Sequence, residues 1–336
     1  MGGQLCGNKM DSTKLQVFTS EDLKAFTNNF NEKNLVGVIQ FGKLYSGKIK
    51  GGMNREEARD VTVKTWDKKS ESTPLAYDEC LMVKEEVEFL TNPTMNCHPS
   101  LAKLIGYCCD EIKGVVYDFI PRDTLHNLMV KADLNWHQRM NVILELARLL
   151  KFLHGQDKPY RVFSINAFHI MLDWDLNPKL IDFGLVGKWV IGEVSAKRKQ
   201  TTIPTRCIDP YFALRGGEWG TSCEVYSFGV ILLGLIAKRI SEWDKQEQPD
   251  QVLENLLHVW AKMEYKPHSS LVHKSLQEDW GYHAADGIAI TELGMHCIEF
   301  FPMNRPTMKD VVERLENLLM FQRLGDSRPH KRDKKF

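Results

Sequence analysis

The feature of this sequence that most limits its fold is a change of hydrophobic periodicity along the chain. Before Pro121 the apolar runs are short and alternate as strands do, and helical spacing appears only at Tyr77–Leu90. From Leu134 onward helical spacing dominates, and the longest apolar stretch, Val225–Ala237, is too short to span a bilayer and predicts a core helix. Strands followed by helices predict an α+β fold, in which a small β-rich part precedes a large helical part.

Individual elements follow from the same patterns. Leu35–Ile49 alternates and contains glycines, which predicts a hairpin. A long helix with one apolar face is predicted between Trp136 and Leu153. The remaining predicted strands are Val61–Trp66, Leu101–Cys108, Val115–Ile120, Ile170–Leu172 and Lys179–Ile181.

The composition excludes several classes of function. The chain has 336 residues with 44 basic and 44 acidic side chains, so no net field draws it toward nucleic acid. Its 8 cysteines lack paired CxxC spacing, which argues against a zinc cluster or a disulfide framework. We therefore expect reduced, buried thiols in a cytosolic protein.

The N-terminus carries signals for lipidation. Gly2 directly follows Met1, as N-myristoylation requires, and Cys6 stands where Ser or Thr is usual. Cys6 would accept palmitate beside a myristoylated Gly2, and two acyl chains anchor a protein firmly where one does not. We predict contact with the membrane surface at the cytoplasmic face of the plasma membrane. The alternative is an unmodified tether on a cytosolic protein.

Motifs in a fixed order carry a resemblance to a known family. Phe18–Leu23, Thr27–Phe30, Leu104–Cys108, Tyr226–Val230 and Arg305–Met308 resemble successive motifs of plant receptor-like kinases. Without an evident transmembrane segment, the chain is most similar to receptor-like cytoplasmic kinases. The resemblance implies a bilobal protein kinase fold, with a small β-rich N-lobe, a large helical C-lobe and nucleotide held between them.

The resemblance also implies a division of the chain. Residues 1–16 would be a flexible, lipidated N-terminus, and residues 17–121 the kinase-like N-lobe. Residues 122–322 would be the kinase-like C-lobe, and residues 323–336 a basic, disordered tail.

The phosphate-binding loop implied by the resemblance is altered. Gly37 and Gly42 match its first and third glycines, but Ile39 replaces the second. A β-branched side chain at this position would stiffen the turn and crowd the phosphates. Lys64 and Glu86 match the lysine that grips the phosphates and its helix partner, and two solvated surface charges are the alternative.

Further positions complete the nucleotide set. Asp182, in an intact Asp-Phe-Gly motif, is the magnesium ligand that the resemblance implies, so ATP and Mg²⁺ are the implied cofactors. Thr62 replaces a small alanine and narrows the adenine slot, so we expect weak nucleotide binding. The positions that line the slot are Leu44, Thr62 and Met171, and Asp118 belongs to the same nucleotide-binding set.

The catalytic loop departs furthest from the family. The His-Arg-Asp motif becomes Val162, Phe163 and Ser164, so a hydroxyl stands where a carboxylate accepts the proton of the substrate. Losing a positioned base lowers the rate by about 10²–10⁴-fold. No aspartate lies between Asp157 and Asp173, so shifting the alignment does not restore the base.

Other substitutions alter the metal site and regulation. Asn166 replaces the loop lysine, and His169 replaces the asparagine that holds a second magnesium, although a neutral imidazole suits softer ions. Phe163 replaces the arginine that clamps a phosphorylated activation loop. A basic run lies beside three threonines that are candidates for phosphorylation by another kinase: Thr201, Thr202 and Thr205. The alternative is that this segment is simply a solvated loop.

Two substitutions concern the packing of the C-lobe. Tyr211 replaces a glutamate, which is expected to leave Arg305 without its usual carboxylate. Glu224 replaces the aspartate that anchors the catalytic loop, so we expect a looser loop.

These residues imply a catalytically impaired, kinase-shaped adaptor of the type of plant receptor-like cytoplasmic pseudokinases. Its partners would be receptor kinases, active kinases or immune receptors. Two alternatives stay open, because Lys64, Glu86 and Asp182 are retained. One is an active Ser/Thr kinase with an unorthodox loop, and the other is an ATP-binding sensor that does not transfer phosphate.

Overall fold

The computed structural model of the protein describes residues 15–39, 42–51, 58–66, 79–130, 134–157, 162, 165–181, 209–215, 219–240 and 256–326. The chain divides into two compact units. The first contains residues 1–125, 167–186 and 198–202, and the second contains residues 126–166, 187–197 and 203–336. In its described part the first unit is built on β-sheets, and the second is helical.

The main sheet of the first unit has six strands in the order β1-β5-β6-β4-β3-β2. All neighbours are antiparallel except β1, which runs parallel to β5. The hairpin predicted for Leu35–Ile49 is confirmed, because Ile39 pairs with Gly42 at its closed end. The strands are β1 (Gln16–Val17), β2 (Leu35–Ile39), β3 (Gly42–Ile49), β4 (Arg59–Trp66), β5 (Leu104–Cys109) and β6 (Lys113–Tyr117).

A second sheet of three strands completes the β-structure of the first unit. Its strands pair in the order β7-β8-β9, and both pairs are antiparallel. The strand predicted at Ile170–Leu172 is confirmed with the same ends. The bounds are β7 (Asp123–Thr124), β8 (Ile170–Leu172) and β9 (Pro178–Leu180).

The described helices of the first unit are α1 (Ser20–Phe26), α2 (Glu79–Thr91) and α3 (Pro93–Asn96). The helix α1 was not predicted. It begins with a capping box, in which Thr19 and Asp22 bond each other's backbone amides. Leu23 of α1 then packs into a buried cluster on the main sheet with Val61, Val63, Cys108 and Val116.

The second unit is organised around the helix α7 (Thr221–Ala237), which is buried along nearly its whole length. This confirms the core helix predicted at Val225–Ala237.

Of the helices described, none is long and apolar enough to cross a membrane. The other helices are α4 (Leu125–Val130), α5 (Trp136–His154), α6 (Pro210–Arg215), α8 (Leu257–Glu264), α9 (Lys274–Gln277), α10 (Ala284–Cys297), α11 (Met308–Glu316) and α12 (Leu319–Asp326).

A buried arginine joins three segments of the second unit. Arg139 of α5 is fully buried and donates to the carbonyl of Leu134 at 2.8 Å. It also donates to the carbonyls of Met129 and Leu235, at 2.6 and 2.8 Å. Burial lowers the pKa of Arg139 to about 10, so the guanidinium still carries its charge at neutral pH.

The cysteines follow the sequence expectation only in part. Six cysteines lie in the described residues, and all six are free thiols. Cys108, Cys223 and Cys297 are buried, as expected. The expectation of buried thiols is wrong for the other three, since Cys80, Cys97 and Cys109 are exposed.

The helix α12 crosses a boundary of the predicted division. It continues to Asp326, so its last residues fall in the range 323–336 that was expected to form the tail. The division of the chain into lobes and tail stays a prediction.

Candidate functional site

One face of strand β4 carries the centre of the candidate site. Successive side chains of a strand point to opposite faces, so Thr62, Lys64 and Trp66 share one face. The pairing of β4 with β3 and β6 is regular at these positions, which keeps the alternation intact. All three side chains are buried. We call this set the inner face of β4.

The ammonium group of Lys64 is surrounded by groups of the chain. Its Nζ lies 2.6 Å from Oε2 of Glu86 in α2, in an ion pair that is almost completely buried. It also donates to the carbonyl of Ile181 at 3.2 Å. The ring of Trp66 lies 4.4 Å from the same Nζ, within cation–π distance. The structure therefore brings Lys64 and Glu86 together, while their role toward nucleotide stays a prediction.

Tyr117, at the end of β6, extends this network. Its hydroxyl donates to Oε1 of Glu86 and lies 2.9 Å from the carbonyl of Ile181. Tyr117 and Trp66 were not predicted as site residues. The pairing register of the strands could have identified them. Tyr117 lies opposite Thr62 in the β4–β6 pair, and Trp66 lies two residues after Lys64 and so on the same face of β4.

The glycine at the end of the phosphate-loop hairpin is required by strand pairing. A Cβ atom at Gly42 would lie 1.8 Å from the carbonyl oxygen of Thr65 in the neighbouring strand. No side chain fits there. Ile39, its partner in register, is 5% exposed and packs into the first unit. Strand packing alone therefore explains why this position is a glycine, and phosphate binding is not needed to explain it.

The positions assigned to adenine are filled by the chain. Leu44, Thr62 and Met171 are each 0% exposed. A Cβ atom at Gly37 would lie 3.6 Å from Cε of Met171 and 3.0 Å from Cγ2 of Thr124, so β2 lies close against β7 and β8. An open slot would leave these side chains accessible, and here they are not.

Asp118 and His169 make contacts of their own. Asp118 is 38% exposed by side chain and forms an ion pair with Arg59, whose Nε lies 3.0 Å from Oδ1. His169 is buried in a short turn, and its carbonyl accepts from the amide of Ile181 at 3.3 Å.

Within the described part of the chain, no three His, Cys, Asp or Glu residues are grouped to hold a metal ion.

In the second unit, Glu224 keeps the anchor of the catalytic loop. Its Oε1 accepts from the backbone amide of Val162 at 2.9 Å, and its Oε2 accepts from Nε2 of His154 at 2.8 Å. Glu224 and Val162 are both fully buried. The longer carboxylate of Glu224 therefore still reaches the amide of Val162, while the looseness of the rest of the loop stays a prediction.

Arg305 also has a carboxylate, contrary to expectation. Its two terminal nitrogens bond both oxygens of Asp209, at 2.6 and 2.7 Å, and both side chains are fully buried. The same guanidinium donates to the carbonyls of Glu299, Ser222 and Phe300. All five N–H donors of Arg305 are thus used.

The tyrosine at the substituted position has taken a different role. Tyr211 packs edge-on against Phe300, with ring centroids 5.6 Å apart, and against Phe301 at 6.2 Å. Asp209, two residues before Tyr211, supplies the negative charge that pairs with Arg305, in place of the glutamate that Tyr211 replaces. The bidentate pairing of an arginine with a carboxylate is preserved by a different residue.

Several predicted site residues lie outside the described part of the chain. Asn166 is described and half-buried, and its role in the loop stays a prediction. The predicted residues outside the described ranges are Gly2, Cys6, Phe163, Ser164, Asp182, Thr201, Thr202 and Thr205.

The sheet-based first unit, the helical second unit and the buried lysine–glutamate pair define the class of protein kinase folds. Residues 30–315 match the family described as protein tyrosine and serine/threonine kinase. A solved structure titled as an apo GRMZM2G135359 pseudokinase shares the fold, with a TM-score of 0.62 and 18% identity. That likeness covers 94% of this chain and 97% of the other.

Sequence relatives narrow the family. The probable serine/threonine-protein kinase PBL16 of Arabidopsis thaliana is 33% identical, over 90% of this chain and 73% of the relative. The EPD1-interacting receptor-like cytoplasmic kinase 5D of Gossypium barbadense is 34% identical, over 91% and 65%. BIK1 of Arabidopsis thaliana is 29% identical, over 93% and 78%. The chain belongs to the protein kinase family, among the plant receptor-like cytoplasmic Ser/Thr kinases.

Proposed function

We propose that this protein is a receptor-like cytoplasmic kinase homologue that has lost phosphoryl transfer and works as a signalling adaptor. The observation that carries the proposal is Ser164 at the position of the catalytic carboxylate. A serine hydroxyl is not a base at neutral pH, and the rest of the loop supplies no other carboxylate. The loss of this base lowers the rate by about 10²–10⁴-fold.

Protein kinase domains as a class bind ATP and Mg²⁺, and the described residues of this chain fit ATP only in part. Lys64 and Glu86 are present, but the ammonium is already bonded within the chain. The side chains assigned to adenine are fully buried. We infer that residual ATP binding is weak and that the adaptor role does not depend on it.

The partners we propose are receptor kinases, active kinases or immune receptors. Relatives named as EPD1-interacting support a role in protein–protein interaction, because their names record a protein partner. The second unit supports it through its intact internal anchors at Glu224 and Arg305, which keep a folded surface available for docking. Acylation of Gly2 and Cys6 would place the adaptor at the plasma membrane.

A second candidate function is an active Ser/Thr kinase with an unorthodox loop. The retained Lys64–Glu86 pair favours it, as do relatives that are named as kinases. A third is an ATP sensor, which would bind nucleotide without transferring phosphate.

One pair of assays separates these functions. Purified protein is incubated with Mg²⁺- or Mn²⁺-ATP, and phosphate incorporation is measured by mass spectrometry. Thermal shift measures nucleotide binding in parallel. We expect no phosphate incorporation. Incorporation that Lys64→Met abolishes would establish an active kinase, and binding without transfer would establish a sensor.

The substituted loop can be tested in the opposite direction. Restoring the family residues with Ser164→Asp, Asn166→Lys and His169→Asn supplies the base and the polar groups of the loop. We expect no phosphate transfer from this triple variant. The buried side chains at the positions assigned to adenine, Leu44, Thr62 and Met171, are unchanged in it and would still hinder ATP binding. Robust transfer would locate the whole defect in the loop.

The membrane proposal has a separate test. We expect Gly2→Ala to move a fluorescent fusion of the protein from the plasma membrane to the cytosol of plant cells, with Gly3→Ala as the matched control. Membrane retention by the Gly2→Ala variant would remove the myristoyl proposal.

A further inference from the structure

We propose that the nucleotide site of this protein is held closed by its own side chains, with Thr62 in the place of the adenine and Trp66 over the phosphate-binding lysine. This inference rests on the proposed function, because it gives the physical reason why the adaptor has little use for ATP. Both residues lie with Lys64 on the inner face of β4, so the two closing side chains come from a single strand.

Thr62 closes the end of the site assigned to adenine. Its hydroxyl donates to the carbonyl of Phe119, with 2.7 Å between the oxygens. The side chain of Thr62 is 0% exposed and Phe119 is half-buried, so this hydrogen bond is partly shielded from water. The alanine that the resemblance implies at this position has no hydroxyl and could not make this hydrogen bond.

The same contact orients a peptide group. No cis peptide bond occurs in the described chain, and in a trans peptide the carbonyl and the following N–H point in opposite directions. Because the carbonyl of Phe119 points toward Thr62, the amide of Ile120 points away from the inner face of β4. Adenine offers a donor amino group and ring acceptors. On this peptide, the acceptor is taken and the donor is turned away.

Trp66 closes the end assigned to phosphate. Its ring covers the ammonium of Lys64 at 4.4 Å, while Glu86 and the carbonyl of Ile181 bond the same group. Lys64 is 0% exposed, and Trp66 is 5% exposed. A phosphate could reach this ammonium only after the indole moved aside.

The two closures are independent in space. Thr62 and Trp66 are four residues apart on a strand, which separates them by about 13 Å. Effects of substitutions at such a distance usually add. The structure therefore predicts that opening either end helps a nucleotide, and that opening both helps it more.

The experiment measures binding of ADP without metal, by isothermal titration calorimetry, to the full chain and its variants. Omitting the metal makes the result independent of any metal binding by Asp182. We expect Thr62→Ala to tighten binding about fivefold, the value of one hydrogen bond. We expect Trp66→Leu to tighten it about tenfold, and the double variant about fiftyfold.

Two matched controls test the chemistry of Thr62. Thr62→Ser keeps the hydroxyl and should bind ADP as the wild type does. Thr65→Ala makes the same change on the opposite face of β4 and should have no effect. If Thr62→Ala lowers the melting temperature too far to test, Thr62→Val removes the hydroxyl at nearly constant volume and should also tighten binding.

Each outcome decides the inference. Micromolar ADP binding by the wild type would overturn it, and so would an equal gain from Thr62→Ser and Thr62→Ala. A double variant that melts like the wild type and gains no ADP affinity would overturn this inference and leave the adaptor proposal standing. Phosphate transfer by the wild type would instead overturn the adaptor proposal.

Discussion

Substitutions in the two units have had different structural consequences. In the second unit, Tyr211 and Glu224 replace family residues, yet Arg305 still meets a carboxylate and Val162 still has its anchor. In the first unit, Thr62 adds a hydroxyl that donates a hydrogen bond to the carbonyl of Phe119. This hydroxyl lies on the inner face of β4, where adenine would bind. Contacts that support the fold have been preserved by other groups, while in our proposal the groups that a nucleotide would contact are bonded within the chain.

The difference has an energetic explanation. Removing the carboxylate from a buried ion pair destabilises a fold by about 3–5 kcal/mol, so a chain that lost the partner of Arg305 without replacing it would fold poorly. A missing catalytic base has no such effect on stability. The proposed loss of the base at Ser164 would therefore need no compensation in stability, whereas Tyr211 requires Asp209 to pair with Arg305.

The largest effect is expected from Asp209→Ala. This change leaves the guanidinium of Arg305 buried without its anion, and we expect a loss of about 3–5 kcal/mol in the free energy of unfolding. Urea unfolding followed by circular dichroism measures it. The matched control is Asp175→Ala, at an exposed turn, which should change stability by less than about 0.5 kcal/mol.

Replacing both charges sharpens the same test. Asp209→Leu combined with Arg305→Met buries no charge, so the double variant should be more stable than Asp209→Ala alone. Equal stability of these two variants would show that the pair contributes packing rather than charge compensation.

The next largest effect is expected from Lys64→Met. Glu86 would lose its ion pair but keep the hydroxyl of Tyr117 as a donor, so we expect a loss of about 2–3 kcal/mol. Thermal and urea unfolding measure it. Lys48→Met removes an exposed partner of Asp60 and should have little effect. A stability unchanged by Lys64→Met would mean that the lysine is retained for nucleotide binding and not for the fold.

The smallest effect is expected from Glu224→Asp, which restores the family residue. The shorter carboxylate cannot hold both the amide of Val162 and the ring of His154, so we expect a loss of about 1 kcal/mol. Glu316→Asp, at an exposed glutamate of α11, serves as the control for shortening alone. A variant more stable than the wild type would mean that Glu224 is a strained substitute rather than an adequate one.

Sequence periodicity predicted most of the fold. Alternation located the β2–β3 hairpin, and the apolar run at Val225–Ala237 located α7, because both patterns directly reflect which side chains are buried. The helix α1 was missed, although Thr19 and Asp22 have the spacing of a capping box. Short helices of this kind depend on packing, here of Leu23 against the sheet, which local sequence does not record.

The candidate site was less predictable. Motif positions identified Lys64 and Glu86, but the role of Asp209 depends on a partner 96 residues away in sequence. The contact between Thr62 and Phe119 depends on the direction of one carbonyl. Neither fact has a local pattern, since both arise from tertiary geometry.

The approach of the Thr65 carbonyl to Gly42 has a consequence for classifying related sequences. A glycine required by the backbone of a neighbouring strand would persist even in a protein that no longer used the nucleotide, because every larger residue would disrupt the sheet. Surveys that count glycines in this loop would therefore score inactive relatives as ATP-binding proteins.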